Sequence, residues 1–127
     1  ILEFFDGLHK GDTEKINEVI SPDIIMDSTF INDEGKRDKR IETRENFLKS
    51  IASKNPEDIW LEKLLNFEIH FDGPLASVWT PYEFYRNSIL SHCGANSFQL
   101  FKKENKWKII YLIDSRKRSG CSTVGIE

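Results

Sequence analysis

The sequence predicts an α+β fold, with three N-terminal helices packed on a curved antiparallel sheet, and three observations carry that reading. Helix-like spacing and capping residues are confined to the first half of the chain. From Trp60 onward the chain becomes a succession of long β-forming runs separated by turn signals, and such segregation marks α+β architecture. Several of those runs are apolar on both parities, so both faces of the sheet must be covered.

The first helix is expected over Ile1–Leu8, where apolar residues recur at 1, 4, 5 and 8. Gly11 suits its end and Asp12 suits the N-cap of a second helix over Thr13–Ile20. Ser21-Pro22 stops that helix, and "DIIMDSTFI" reads as a strand. "NDEG" is a turn signal, after which Lys36–Ile41 returns as a polar strand or loop. Thr43 is placed to cap a third helix through Lys54, stopped by Asn55-Pro56. Trp60–Phe71 reads as one strand closed by "DGP", and Leu75–Tyr85 as the next, with Pro81 marking a bulge or an edge. Ile89–Lys102 and Trp107–Asp114 complete the meander, and residues 116–127 form a polar tail. In the last strand Trp107, Ile109, Tyr111 and Ile113 fall on one side, with Ile110 and Leu112 on the other.

The chain has 127 residues, the size of a single domain, here 1–127, and one that builds a core without metals or a disulfide framework. Its net charge of −3 gives no basic field for nucleic acid. The basic runs "GKRDKR" and "RKR" lack interleaved aromatics and read as a solvated turn and tail. No apolar run is long enough to span a bilayer, so no membrane contact is expected. Cys93 and Cys121 leave room for one bridge without implying it. With no CxxC or HxxxH spacing among Cys93, Cys121, His9, His70 and His92, neither a metal nor a cofactor is expected. The chain opens on Ile1 without Met; a cytoplasmic location is expected, with a removed N-terminal segment as the alternative.

"VWTPYEFY" at 78–85, "SHCG" at 91–94, "FQL" at 98–100, "WKI" at 107–109 and "DSRKR" at 114–118 resemble the NTF2-like superfamily. Within it they are similar to the small bacterial, SnoaL-like proteins labelled lumazine-binding. The opening "FFDGLHKGDTEKINEVISPD" matches that superfamily's paired first helices, so the resemblance covers nearly the whole chain. It implies a cone: a curved sheet wrapped around helices, a cavity at the open end, and a homodimer joined through the outer sheet face. It does not select a reaction, because the superfold hosts many.

The adjacent His92 and Cys93 are split by strand geometry, since successive side chains take opposite faces unless a bulge at Gly94 intervenes. Cys93 then packs as a small buried residue, while His92 shares a face with Gly94, Asn96 and Phe98 and is a candidate for the cavity wall. Asp114 ends an apolar strand and stands either in solvent or at the cavity mouth, with Arg116 two residues on as its partner. Asp27 lies in the region where the resemblance places catalytic groups. If Asp27, His92 and Asp114 converged, they would form an acid–base set. Trp79, Tyr82 and Phe84 supply aromatic surface for a pocket. A domain that binds a small, partly apolar ligand through Trp79, Tyr82, Phe84, His92, Asn96, Phe98, Asp114 and Arg116 is the reading these residues favour. An acid–base enzyme of the isomerase or dehydratase type and a dimerising scaffold without ligand are the alternatives.

Overall fold

The computed structural model describes residues 1–121. Along the chain run α1 (Leu2–Lys10), α2 (Thr13–Val19), β1 (Ile20–Ile31), β2 (Arg37–Glu42), α3 (Arg44–Ala52), β3 (Trp60–Leu64), β4 (Glu68–Asp72), β5 (Leu75–Arg86), β6 (Ile89–Lys103) and β7 (Lys106–Arg116). The helix boundaries follow their local signals. Gly11 ends α1 in the left-handed conformation, φ 68°, which a residue without Cβ adopts at no steric cost. The Asp12 carboxylate accepts from the Lys15 amide and the Thr43 hydroxyl from the Asn46 amide, each at 3.1 Å, satisfying first-turn donors of α2 and α3.

The strands form one curved sheet in the order β2-β1-β7-β6-β5-β3, with β4 pairing β5 beyond β3. Every pairing is antiparallel except β1 with β7, which is parallel. These are the first and last strands, and no hairpin turn joins them, so nothing local enforces the antiparallel sense. The run expected as one strand over Trp60–Phe71 is two, β3 and β4. The Leu65 amide donates to the Pro81 carbonyl at 2.8 Å, but Pro81 has no N–H to return, and the ladder breaks there.

The three helices cover the inner face of the sheet. Phe4, Phe5, Ile16 and Ile51 pack with Met26, Val78, Phe98 and Leu100 in one core. The Phe4 and Phe5 rings meet Phe98 edge-on, at 6.0 and 5.9 Å. The simple alternation expected for the last strand fails at Ile110. The β6–β7 register shifts between Gln99 and Leu100, which sends Ile109 into the core while Tyr111 keeps the opposite parity to Leu112.

The expected free, packing role of Cys93 is corrected: it is disulfide-bonded to Cys121, with Cα atoms 5.7 Å apart. The cause lies in the C-terminal segment, which does not leave the sheet as a loose tail. β7 continues to Arg116, and the Lys117 amide and carbonyl both pair with Cys93, at 2.9 and 3.0 Å. That bridge brings Cys121 over the buried Cys93. Residues 122–127 of the expected tail lie outside the described residues.

Candidate functional site

A cavity of about 400 Å³ opens between the helices and the inner face of the sheet. Sheet register builds its floor in rows. Met26, Leu112, Phe98 and Val78 stand side by side across β1, β7, β6 and β5, an apolar row that belongs to the core. Two residues further along these strands the row turns polar: Ser28, Asp114, Asn96 and Thr80. Phe4, Phe5, Phe47, Trp60 and Phe84 supply apolar walls above it. Aromatic walls with a few converging polar groups are the usual make-up of a small-molecule site.

Glu62 is the residue that the sequence reading missed. It follows Trp60 by two positions in β3 and faces inward with it, opposite Phe84. Its backbone N–H donates to His9 Nε2 at 2.8 Å, tying α1 to β3. Its Oε2 accepts from Asn96 Nδ2 at 2.7 Å. Burial raises its carboxyl from the ordinary 4.5 to about 7; the Asn96 amide works against the rise, and the Asp114 charge adds to it. The signal was present: in "WLEKL", a glutamate occupies the parity of Trp60 and Leu64 on a strand whose inner positions are apolar.

Asp114 and Arg116 do share a face. Arg116 Nε donates to Asp114 Oδ2 at 3.0 Å, while the other carboxylate oxygen, Oδ1, is buried with no partner among the described residues. His92 lies on the cavity wall, its ring stacked on Phe84 at 5.0 Å and 19°. Burial, then the Arg116 and Arg118 charges, lowers its pKa to about 4, so the ring is neutral at physiological pH. The β5–β6 register shifts between Phe84 and Tyr85, which pair with His92 and Leu90, so Ser91 is the bulged residue. The bulge precedes His92 and does not separate it from Cys93, and the two side chains keep opposite faces. Gly94 has a different task. A Cβ there would stand 1.9 Å from the Ser115 carbonyl oxygen, which turns inward to accept from Tyr82 Oη at 2.8 Å.

The remaining expected site residues are placed elsewhere. Trp79 is 48% exposed and has the opposite parity to the buried Val78 and Thr80, so it stands on the outer face. Tyr82 and Phe98 face inward but are sealed in the layer below the cavity, 1% and 0% exposed. Asp27 borders the same cavity as His92 and Asp114, but its carboxylate turns away from them. Ser28 is the residue that faces Asp114 across β1 and β7, so Asp27, one position earlier, points to the other side. There its Oδ2 accepts from Tyr111 Oη at 3.2 Å and lies 3.7 Å from Lys39 Nζ. The polar cluster that register assembles is Glu62, Asn96, Asp114 and Arg116, with His92 at the wall.

No protein-family model matches the chain, and no curated protein matches it. Solved structures do. An NTF2-like protein from Cytophaga hutchinsonii superposes with a TM-score of 0.72 at 12% identity, covering 91% of each chain. A conserved protein from Planctomyces limnophilus gives 0.71 at 14% identity, covering 91% of this chain and 89% of the other. An NTF2-like protein of unknown function from Shewanella baltica gives 0.61 at 16% identity, covering 93% and 88%. At these identities the likeness defines the fold, which is NTF2-like, and the chemistry rests on this chain's own residues.

Proposed function

We propose that this chain binds a small, partly apolar molecule in the cone cavity, with its apolar part against Phe4, Phe47, Trp60 and Phe84 and a polar group at Glu62, Asn96 and Asp114. The observation that carries the reading is a polar row set under aromatic walls in a cavity of about 400 Å³, within the range of small-molecule sites. Thermal-shift screening of a metabolite set against wild type, His92→Ala and Glu62→Ala tests it. Hits lost in both variants are the expected result; silence across the set for the wild type, or hits that both variants keep, would sink the reading.

A second reading, acid–base chemistry on the bound molecule, is favoured by one feature. Two carboxyl groups sit near one another in unlike settings: Asp114 is ion-paired with Arg116, whereas Glu62 is buried and holds its proton up to about 7. A carboxyl that holds its proton near neutrality beside an ion-paired one suits proton transfer to a bound molecule. Isotope-edited infrared titration of the Glu62 carboxyl is expected to give a midpoint near 7, and a midpoint near 4.5 would remove this reading.

The outer sheet face supports a homodimer. Ile25, Ile41, Leu61, Leu75, Trp79 and Phe101 are all solvent-exposed and share its parity, an apolar patch of the kind that marks association surfaces. Sedimentation that reports a monomer at micromolar concentration would remove it. The Cys93–Cys121 bridge supports placement in an oxidising compartment rather than the reducing cytosol. Alkylation of unreduced protein taken from cells checks this, and two labelled thiols would overturn it.

A further inference from the structure

The reading above leaves the chemical class of the ligand open, and the inference drawn here rests on it. Two carboxyl groups that line the cavity have unmet capacity. Asp114 Oδ1 is buried with no hydrogen-bond partner among the described residues, although its sister oxygen is held by Arg116. A buried acceptor without a donor costs about 1–3 kcal/mol, so a ligand that brings an O–H or N–H there recovers that cost. Glu62 has one oxygen on the Asn96 amide, and in its protonated form the other presents an O–H toward the cavity. The site therefore offers one acceptor and one donor. The charged and titratable groups around Glu62 are Asp114 and Arg116 from β7, His92 from β6, Tyr82 from β5 and His9 from α1, and the cavity lining adds Arg40 and Glu42 from β2 and Arg86 from β5, the last already paired with Asp58. Arg116 is already engaged with Asp114, and His92 is a neutral ring stacked on Phe84.

We propose that the cavity selects an uncharged ring compound bearing a hydroxyl group, whose O–H donates to Asp114 Oδ1 and whose oxygen accepts from Glu62. A hydroxyl is both donor and acceptor, so it completes both partners at once. A carboxylate brings no donor for Asp114 and adds a second negative charge beside it, in a site where burial weakens screening. An ammonium brings donors but no acceptor, and it requires Glu62 to release its proton. The ring part of the ligand meets Phe4, Trp60 and Phe84, whose faces favour aromatic and alicyclic surface.

The test is calorimetric titration of the full chain at pH 6 with four probes of one size: toluene, benzyl alcohol, benzoate and benzylamine. Benzyl alcohol is expected to bind about 10-fold or more tighter than the other three, the effect of a hydrogen bond to a buried charged group. Asp114→Asn should abolish that preference and leave toluene unchanged, while Gln99→Ala, on the other sheet face, should leave all four unchanged. Should Asp114→Asn fail to fold, the wild type decides through protons. At pH 7 benzyl alcohol binding should take up a fraction of a proton, read from the dependence of the heat on buffer ionisation, because the bound hydroxyl holds Glu62 protonated. Benzoate or benzylamine binding tightest, toluene matching benzyl alcohol, or no proton uptake each overturns the hydroxyl assignment and leaves the cavity reading standing. No binding of any probe overturns both.

Discussion

The two faces of the sheet hold similar residues in opposite circumstances. On the outer face Asp27 sits beside Lys39 and Tyr111, and Trp79 is half exposed. On the inner face burial raises the Glu62 carboxyl to about 7, and Asp114 has an oxygen with no partner among the described residues. His92 and Cys93 show the same division within one dipeptide: one lines the cavity, and the other is locked in a disulfide on the far side. What separates these residues is their side of the sheet and what covers that side. The Asp27 carboxylate has a lysine and a phenol for partners, whereas Glu62, set among aromatic rings, has its proton affinity raised.

The largest test of this contrast sets Phe98 against Trp79. Phe98→Ala, which empties the fully buried layer under the cavity, should cost about 3–5 kcal/mol in urea unfolding, and Trp79→Ala under ~0.5 kcal/mol in a chain dilute enough to be monomeric. Equal costs would break the distinction between the faces. The disulfide joins residues 28 positions apart, and Cys121→Ala should cost about 3–4 kcal/mol by the loop-closure argument. A loss below ~1 kcal/mol would show that the Lys117–Cys93 pairing alone holds the segment.

The titration of Glu62 sharpens the comparison further. Its folded carboxyl, raised from 4.5 to about 7, holds a proton that the unfolded chain releases in that window. Its contribution is therefore fully present below 4.5 and is lost as pH rises through 7. Glu62→Gln should remove that decline, gaining about 3 kcal/mol over the wild type at pH 8 relative to pH 4. No gain would mean that the carboxyl is solvated. His92 has the opposite sign: its pKa falls from 6.5 to about 4, so its stabilising share is lost as pH falls through that window. The two slopes oppose one another, and partial exposure of His92 makes its share the smaller. His92→Phe should therefore steepen the decline of stability with rising pH, and an unchanged curve would argue against a buried neutral imidazole. The smallest expected effect belongs to Gln99→Ala on the outer face, which should shift ligand affinity in the cavity by less than about 2-fold, within the additivity of separated sites.

Much of the fold was legible because its signals are local. Asp12 and Thr43 cap helices, Gly11 ends one, and strand parity assigned His92 to the face of Asn96 and Phe98. The pair Asp114–Arg116 was legible for the same reason, since residues two apart in a strand are neighbours on one face. Glu62 was readable in principle from its parity with Trp60 and Leu64, but a single glutamate in a short strand is common, and its burial depends on α1 and β6. The side taken by Asp27 stayed open because parity says which residues share a face, never which face is the inner one.

By itself, then, the sequence determined the class of fold, the helix ends, the alternation within each strand and the separation of His92 from Cys93. All of these depend on dihedral preferences and hydrogen bonds between residues a few positions apart. Only the tertiary structure decided the rest. Whether Asp27 or Ser28 faces Asp114 is set by the β1–β7 register, between strands more than eighty residues apart. The union of Cys93 with Cys121 is set by the pairing of Lys117, and the proton affinity of Glu62 by what buries it. A one-residue change in register would exchange the faces and leave every local signal as it stands.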